Sequence, residues 1–503
     1  MPITNKYLLL LITALSVFAG VYIYRATNLY FLADDFLHIP ESINSIWLQR
    51  NSLRPVGNIS LHIDYLFSNT NPFGYHVTNL LLHCINTGLL FVFTKKMYQR
   101  YVAKESFYFI SISTTILFFT YPFHSETIFW IIGRSGSLGT LFFLIAAIFY
   151  LLKEKGNGYF IASFVAFEFA LLAYESVWIF PLVVVAFFVI DKRKKIHQKL
   201  AILYPTIVVL LFATHVLLRY NITGELFNQY DANSFVQGNF KLLSINFCKL
   251  FGRTIVPSFY NQNYFIVSVI GILILLSFLV IQLFIKKKYN HFFLLLSFLW
   301  ISSYTPYLSI GIDTHGTEGE RYLYLPSLFF CIWLMHVLQL LFTQKIIMGL
   351  VTILLCINIF FLQQSRTYYV KASTISKSII QQVSNLSNKE KIFIENLPQY
   401  NKGAVIFRSG LEEAMHWLHP QFQSRIIIVS IDNSDVVVKQ NHNPNWQVVF
   451  KKDSVRISVP YFLIKDKTYQ KNYSKQDTTN LQFNPAKDAW LYITDSSLLI
   501  THL

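Results

Sequence analysis

The sequence predicts a polytopic α-helical membrane protein with about 11 transmembrane helices and a small C-terminal domain of mixed α/β structure. Composition is the first reason, because 53% of the 503 residues are hydrophobic and only 14% are charged. A mean hydropathy of +0.42 argues against an ordinary series of soluble domains. The second reason is a succession of apolar runs, each close to the ~20 residues that a helix needs to cross ~30 Å of hydrocarbon.

The predicted spans are the apolar runs at residues 7–24, 76–94, 106–121, 137–152, 159–173, 176–190, 200–218, 264–285, 291–310, 323–343 and 346–363. The third to sixth runs are the shortest, so the chain is expected to tilt or break there instead of crossing cleanly. The first run continues past its small residues without an A-x-A cleavage site. It is therefore predicted to be a retained anchor and not a signal peptide.

The distribution of basic residues predicts the orientation of these spans. The net charge of +16 would suggest a nucleic-acid partner in a soluble protein. With the N-terminus in the cytoplasm, however, residues 1–364 place 14 Lys and two Arg inside, and seven Arg and two Lys outside. This asymmetry matches the positive-inside rule, so the charge reports orientation and no nucleic-acid partner is expected.

The kind of basic residue also differs between the two faces. Lysine anchors a protein to anionic head groups, whereas the planar fork of arginine suits bidentate recognition of phosphate or carboxylate. The outer loops contain most of the arginines, so they are predicted to hold an anion-binding site. The alternative is that arginine simply falls in loops.

The chain after residue 364 contains no further apolar span. Short apolar segments predict strands at residues 404–407, 425–430, 436–438, 446–450 and 455–459, and a helix at 411–418. The predicted organisation is a membrane domain at residues 1–364, with outer loops at 25–75, 121–137, 219–263 and 311–322. A soluble extracytoplasmic domain follows at residues 365–503.

Two adjacent carboxylates, Asp34 and Asp35, follow the first span. Neighbouring acids at a membrane surface are costly unless they are solvated, paired or used, because each raises the pKa of the other. One of them can accept a proton from an acceptor hydroxyl, while its partner assists or holds a cation. A solvated loop pair is the alternative interpretation, and the need for a divalent cation stays open. The four scattered cysteines form no metal-binding pattern, so no metal ligands are predicted.

The loop after the third span has a helix-breaking proline followed by His124 and Glu126, and then Arg134 between two glycines. This pattern is typical of a re-entrant segment that lines a cavity. His124 and Glu126 could orient an acceptor or assist the acidic pair, and Arg134 could bind a phosphate. A purely structural role for His124 remains the alternative.

The loop before the tenth span ends in Glu320-Arg321-Tyr322. It places an arginine and two tyrosines at the start of a membrane helix, at the depth of a lipid phosphate. A local ion pair of Glu320 with Arg321 inside an aromatic belt is the alternative.

Several short motifs in residues 30–330 occur in the order found in one family. Together they resemble the GT-C integral-membrane glycosyltransferases that use polyprenyl-phosphate sugars. The likeness is greatest to the transmembrane O-mannosyltransferases with tetratricopeptide tails and to their bacterial relatives. The resembling pieces are Ala33-Asp34-Asp35-Phe36, Arg54-Pro55, Pro72-Phe-Gly-Tyr-His76-Val-Thr-Asn79-Leu-Leu-Leu-His83, His124-Ser-Glu126, Gly133-Arg134, Tyr174-Glu175 and Glu320-Arg321-Tyr322-Leu-Tyr324-Leu-Pro326-Ser327.

This sequence departs from the family in two respects. No tetratricopeptide repeats follow the last span, and Tyr174-Glu175 stands where the family has a Lys-Glu pair. The protein-acceptor specificity of the eukaryotic members is therefore not implied.

The resemblance implies an inverting transfer of a sugar, mannose-like or another hexose, from a polyprenyl-phosphate donor to an acceptor hydroxyl on a protein or glycan. No covalent cofactor is implied. Asp34 would be the base and Asp35 its partner or a cation ligand. The predicted donor-phosphate ligands are Arg321, Arg134 and Arg54, and the predicted acceptor-cavity residues are His76, His124, Glu126, Glu320 and Tyr322.

The expected location is a bacterial inner membrane, with the N-terminus cytoplasmic and the C-terminal domain periplasmic. Two other classes of protein stay open, a lipid-linked-glycan transporter or flippase and a non-catalytic membrane assembly protein of envelope glycan synthesis. Glu168 is the one acid that falls clearly within a predicted span, which disfavours ion-coupled transport.

Overall fold

The computed structural model describes residues 26–49, 52–102, 107–193, 198–224 and 238–430, together with strands and short turns between residues 447 and 502. The predicted first span at residues 7–24 and the predicted strand at 436–438 lie outside the described residues. The chain divides into two compact units. The first comprises residues 1–28 and 41–366, and the second comprises residues 29–40 and 367–503.

Helices dominate the described part of the chain up to residue 384. In order they are α1 Asp35–Asn44, α2 Pro55–Ser68, α3 Pro72–Tyr101, α4 Phe107–Phe119, α5 Ser125–Phe129, α6 Arg134–Leu152, α7 Asn157–Leu171, α8 Phe180–Arg193, α9 Gln198–Thr223, α10 Phe240–Ile255, α11 Gln262–Ile285, α12 His291–Ser302, α13 Tyr324–Leu341 and α14 Gln344–Ser384. Short 3₁₀ turns occur at Pro122–His124, Lys153–Lys155, Glu175–Ile179, Thr305–Tyr307 and Glu320–Leu323. A two-residue hairpin pairs β1 Leu48–Gln49 with β2 Ser52–Leu53.

Among the described residues, six helical segments are long and apolar enough to cross a membrane. They are Pro72–Tyr101, Arg134–Lys155, Leu203–Thr223, Gln262–Ile285, Glu320–Leu341 and Gln344–Ser384. Two predicted spans are shorter apolar helices, α4 and α7. The predicted class, an integral-membrane helical protein with a small C-terminal sheet domain, is confirmed, whereas the count of eleven spans stays a prediction.

Asparagine side chains begin several of these helices. Asn71 accepts a hydrogen bond from the Phe73 N–H, and Pro72 occupies the first helical position, where no N–H is needed. Asn290 caps α12 in the same way, through the Phe293 N–H at 2.7 Å. Polar residues therefore fix helix starts that hydropathy alone leaves vague.

The long helices differ in how much of their surface other helices cover. Within α13 and α6, 78% and 72% of the most apolar window is buried, so both lie inside the membrane unit. The corresponding share is 11% for α11, whose Val267 and Ile274 side chains are 66% and 65% exposed. Exposed apolar surface of this kind is what a helix presents to lipid.

The second unit is built on a six-stranded sheet. The strands of this unit are β3 Lys391–Glu395, β4 Tyr400–Asn401, β5 Ala404–Val405, β6 Arg425–Ser430, β7 Gln447–Lys451, β8 Ser454–Ser458, β9 Phe462–Lys465, β10 Gln470–Tyr473, β11 Thr478–Gln482, β12 Ala489–Ile493 and β13 Leu499–His502. The six-stranded sheet has the order β10-β9-β6-β3-β12-β13, with β3 parallel to both β6 and β12 and the outer pairs antiparallel. Separate small sheets are formed by β11-β8-β7 and by β4-β5. The predicted helix is α15 Leu411–Leu418.

Residues 29–40 belong to this second unit and not to the membrane unit, so the predicted outer loop 25–75 is divided between the two. The Ala33 N–H donates to the Ile406 carbonyl at 2.8 Å, and the Ser376 hydroxyl donates to the Phe31 carbonyl at 2.8 Å. Gly410 is required beside this segment. It has a φ of +95°, and a Cβ there would lie 2.5 Å from the Ala33 carbonyl oxygen.

Candidate anion-binding site and acidic pair

Arg321 and Glu126 form a tightly bound pair in the membrane unit. Glu126, on α5, accepts a hydrogen bond from the Arg321 backbone N–H at 2.9 Å and is ion-paired with its guanidinium. The Arg321 guanidinium also lies 5.2 Å from the Trp130 ring and 4.6 Å from the Tyr322 ring. Burial raises the pKa of Glu126, and the charge of Arg321 opposes that rise. The Glu126 side chain is fully buried, whereas that of Arg321 keeps 17% exposure.

A second carboxylate binds two arginines at once. Glu175 accepts two hydrogen bonds from Arg54, at 3.2 and 2.7 Å, and a third from Arg219 at 2.8 Å. The Arg54 side chain is 17% exposed and that of Arg219 only 2%. Burial raises the pKa of Glu175, but the positive charges of Arg54 and Arg219 outweigh it and lower the pKa to about 2.

These two clusters approach the same tyrosines. The Arg54 guanidinium lies 4.8 Å from the Tyr174 ring. Burial raises the pKa of Tyr174, and the nearby charges of Arg321 and Arg54 oppose that rise. Tyr307 stacks on Tyr322 at 4.6 Å and lies 6.4 Å from Tyr174. Arg54 and Arg321 therefore flank one aromatic surface.

Two arginines of this site are placed to meet an anion. Three arginines, Arg54, Arg219 and Arg321, face the carboxylates Glu126 and Glu175, and the charge of Glu318 also acts on Arg321 and Glu126. The two partly exposed guanidiniums are the groups able to donate to a ligand. Their planar donors match the oxygens of a phosphate.

Two glycines of α6 bring this helix close to both clusters. A Cβ on Gly136 would lie 3.2 Å from the Arg321 carbonyl oxygen, and one on Gly139 would lie 3.1 Å from Tyr174 Cβ. Small residues at these positions let the loops that hold Arg321 and Tyr174 pack directly against the helix.

Arg134 lies at the start of α6, where protein groups surround it. It is 1% exposed and ion-paired with Asp64. Its guanidinium also donates to Asn79 Oδ1 at 2.9 Å, Ser60 Oγ at 3.1 Å and the Tyr75 carbonyl at 2.8 Å. This arrangement locks α2, α3 and α6 together, and phosphate binding by Arg134 stays a prediction.

Glu320 faces away from Arg321, contrary to the alternative of a local pair between these neighbours. It is ion-paired with the buried Arg253 at 2.6 Å and accepts a hydrogen bond from the Ser125 hydroxyl. Arg253 also donates to the Val256 carbonyl at 2.9 Å. Glu320 thus ties the loop before α13 to α10 and α5.

The two predicted cavity histidines are buried. His124 contacts Ser327 Oγ through Nε2 at 2.7 Å, and its ring packs against Tyr324 at 4.4 Å between centroids. Burial, with a smaller effect of His83, lowers the pKa of His124, so the ring is neutral near pH 7. His76 is 1% exposed. A role for either residue in an acceptor cavity remains a prediction.

The acidic pair belongs to the second unit, where its two members have different surroundings. Asp34 is ion-paired with Arg408 at 3.1 Å and accepts a hydrogen bond from the Ser409 hydroxyl. Asp35 Oδ2 accepts the Leu32 N–H at 2.9 Å. Asp34 is 7% exposed and Asp35 1%. In the part of the chain that is described, no three His, Cys, Asp or Glu side chains are grouped to hold a metal ion.

Several residues of these clusters, among them Glu175, Arg219, Asp64 and Arg408, were not among the predicted site residues. Glu175 occurs in a motif that carries the family resemblance, and Arg219 is one of the outer arginines, so the sequence could have indicated both as site residues. No feature of the sequence indicated Asp64 or Arg408. Each meets its partner across a long stretch of chain, 70 residues for Asp64 with Arg134 and 374 for Arg408 with Asp34.

Replacement of Gly133 by alanine is expected to destabilise the protein. The new Cβ would lie 2.1 Å from the Glu126 carbonyl oxygen, so the backbone that carries Glu126 must shift. We expect a loss of about 2 kcal/mol in the free energy of unfolding, measured as a lower Tm in detergent. Gly88→Ala is the matched control, because no atom lies within 4 Å of its added Cβ. Equal Tm values for both variants would contradict the packing at Gly133.

The Glu175 ion pairs are expected to resist acid. Its folded pKa of about 2 lies below the ordinary value of 4.5, so their stabilisation is complete above about pH 4.5 and is lost as the pH falls towards 2. The Tm difference between wild type and Glu175→Gln should therefore be constant above pH 5 and shrink between pH 4.5 and 2. A difference that stays constant down to pH 2 would show that Glu175 is not held ionised by the arginines.

Comparison with known proteins gives a partial match. No family model matches the chain. Protein O-mannosyl-transferase tmtc2 of Xenopus laevis is 30% identical over 112 residues, which is 22% of this chain and 13% of that protein. Protein O-mannosyl-transferase F38B6.6 of Caenorhabditis elegans is 31% identical over 106 residues, 21% of this chain and 15% of that protein. The chain thus spans less than a sixth of the length of either relative.

Two crystal structures of ArnT from Cupriavidus metallidurans are also similar to this chain. The apo structure has a TM-score of 0.36 and the structure bound to undecaprenyl phosphate has one of 0.38. Both are 11% identical in sequence and cover 89% of this chain and 96% of ArnT. Over about a fifth of its length this chain is similar to the protein O-mannosyl-transferases, and the resemblance that its motifs indicated is confirmed.

Proposed function

We propose that this protein is an integral-membrane glycosyltransferase of the GT-C type that uses a polyprenyl-phosphate sugar as its donor. The observation that carries the proposal is the approach of two partly exposed arginines, Arg54 and Arg321, to the rings of Tyr174 and Tyr322. The similarity to proteins named O-mannosyl-transferases supports the same reaction class and a mannose-like hexose.

The two partly exposed guanidiniums of this site fit a donor whose leaving group is a phosphate. During transfer the acceptor oxygen forms a bond to the anomeric carbon, and the bond from that carbon to the phosphate oxygen breaks. The electron pair stays on the departing polyprenyl phosphate, whose negative charge therefore increases. Arg54 and Arg321 would stabilise that charge as it develops, which is where a binding interaction accelerates the chemical step.

The acceptor hydroxyl must lose its proton in this step, and we propose Asp34 as the base. Attack on the face opposite the leaving group would invert the anomeric configuration. Asp35 would act as its partner or as a cation ligand, as the sequence predicts. This assignment draws on the sequence motif and on the ion pair that Asp34 forms with Arg408 in its own unit.

The remaining predicted residues take supporting roles in the proposal. Tyr322 contacts Arg321, and Glu126 orients it. Glu320, His124, His76 and Arg134 would shape the walls of the site. The positive-inside count supports a cytoplasmic N-terminus, and with it an outer-face reaction and an extracytoplasmic C-terminal domain. The membrane would be a bacterial inner membrane. The acceptor would be a protein or glycan hydroxyl.

The proposal is tested with purified protein in lipid nanodiscs and a membrane extract as the source of acceptor. Labelled mannose and glucose are supplied as polyprenyl monophosphates, as polyprenyl diphosphates and as nucleotide sugars. Transfer from a monophosphate donor alone is expected, with competitive inhibition by free polyprenyl phosphate. Transfer from nucleotide sugars, or from none of the donors, would refute the donor class. Translocation of a labelled lipid without transfer would favour a flippase.

A further inference from the structure

We propose that Arg408 and Ser409 are positioning residues that fix the carboxylate of Asp34, so that the C-terminal domain provides the frame of the general base. The inference rests on the proposed function, in which Asp34 takes the proton. Arg408 Nη2 lies 3.1 Å from Asp34 Oδ2, and the Ser409 hydroxyl donates to Oδ1. Each carboxylate oxygen thus has its own partner, which defines the plane of the carboxylate.

The backbone just before Asp34 is tied to the same domain. The Tyr30 N–H donates to Ser373 Oγ, and the Phe31 carbonyl accepts a hydrogen bond from Ser376. The Ala33 N–H donates to the Ile406 carbonyl, two residues before Arg408. Hydrogen bonds from α14 and from the chain after β5 therefore converge on the residues just before Asp34.

Aromatic contacts extend this anchoring to side chains. The Phe31 ring meets Trp417 of α15 at 5.0 Å between centroids, and the Phe36 ring stacks on Phe407 at 6.0 Å. Phe407 directly precedes Arg408, so the residue that anchors α1 and the residue that pairs with Asp34 are neighbours.

The backbone at Ala33 supports a functional reason for this geometry. Ala33 has a φ of +43°, a left-handed conformation that costs a non-glycine residue about 1 kcal/mol or more. This turn directs the carboxylate of the next residue towards Arg408 and Ser409. Asp35 accepts the Leu32 N–H at the start of α1, whereas Asp34 is bound by Arg408 and Ser409, which lie far along the chain.

Positioning of a base has a measurable cost when it is lost. Displacement of a reacting group by about 1 Å lowers a rate by up to ~10²-fold. We therefore expect Arg408→Gln to lower kcat by about ten- to hundredfold and to leave the KM for the donor unchanged, because the proposed phosphate ligands are other residues. Arg408→Lys should restore much of kcat, and Ser409→Ala should lower it less than Arg408→Gln.

Glu412→Gln is the matched control for these variants. It breaks another contact of the same domain, between Glu412 and His416 at 3.6 Å, whose side chains are 26% and 47% exposed. We expect its kcat to equal that of wild type. A parallel rise in KM and fall in kcat in Arg408→Gln, or no rescue by lysine, would indicate a general structural defect and overturn the positioning role.

Hydrogen exchange separates this inference from the proposed function, because it needs no activity. In Arg408→Gln, the amides of residues 29–40 should exchange faster than in wild type, while Arg408→Lys and Glu412→Gln leave them protected. If wild-type protein transfers no sugar, the proposed function fails and exchange still tests the anchoring. If Asp34→Asn abolishes transfer but Arg408→Gln alters neither kcat nor exchange, the inference alone is overturned.

Discussion

Asp34→Asn is expected to lower kcat by about 10³-fold while the protein stays folded and continues to bind polyprenyl phosphate. An asparagine amide has nearly the same shape as the carboxylate but cannot accept the proton of an acceptor hydroxyl. The Ser409 hydroxyl can still donate to its oxygen, so the local structure should persist. The measurement is kcat with a polyprenyl-phosphate donor, together with Tm and the affinity for free polyprenyl phosphate.

Asp35→Asn is the matched control for this prediction. The asparagine oxygen can still accept the Leu32 N–H, so the start of α1 should be preserved and kcat should fall far less. A greater loss of kcat in Asp35→Asn than in Asp34→Asn would show that Asp35 is the base and Asp34 its partner. Undiminished transfer by both variants would remove the acidic pair from the mechanism.

The acidic pair also illustrates what the sequence could and could not predict. Adjacent carboxylates after an apolar run were recognisable as a candidate site, because two neighbouring negative charges repel each other and are costly unless they are paired or used. Their attachment to the C-terminal domain was not recognisable, since the ion pair of Asp34 with Arg408 joins residues 374 positions apart. Local patterns report the chemistry of a residue, whereas partners that are distant in sequence are set by the fold.

In the C-terminal domain, the sequence predicted some secondary-structure elements and missed others. The strand at residues 425–430 and the helix at 411–418 were predicted with the bounds that the structure has, because each has a clear apolar pattern. The central strand β3, Lys391–Glu395, and its neighbour β12, Ala489–Ile493, were missed. Each has only five residues, but so do β7 and β8, which the sequence did predict, so length alone does not explain why β3 and β12 were missed.

The arginines of the candidate site were also predicted only in part. Their excess on one face predicted an anion site, and Arg54 and Arg321 do approach a shared aromatic surface. Arg134 has the same residue type and lies on the same predicted face, yet its donors meet Asp64, Asn79 and a backbone carbonyl. Whether an arginine is available to a ligand depends on acceptors that other helices contribute, and no local motif reports them.

Arg321→Lys is expected to lower kcat/KM for the donor by about 10²-fold. Lysine keeps the positive charge but loses the planar fork, so it cannot donate to Glu126 and to a phosphate in fixed directions at once. The Glu126 carboxylate would retain the hydrogen bond from the backbone N–H at position 321, which should limit the loss of stability. The rate should fall more than the donor affinity, because the phosphate gains charge only as the sugar leaves.

Arg100→Lys is the matched control, since Arg100 is likewise ion-paired, in its case with Asp191 at 3.0 Å and Glu154 at 2.6 Å. If both substitutions lower kcat/KM equally, the effect reports a general cost of replacing a paired arginine. A loss confined to Arg321→Lys indicates contact with the reacting phosphate.

The variant that combines Arg54→Lys with Arg321→Lys tests whether both arginines bind one phosphate. Its loss in kcat/KM should be smaller than the two single losses combined, because two ligands of one phosphate do not act independently. Full additivity would place Arg54 and Arg321 on different groups of the donor.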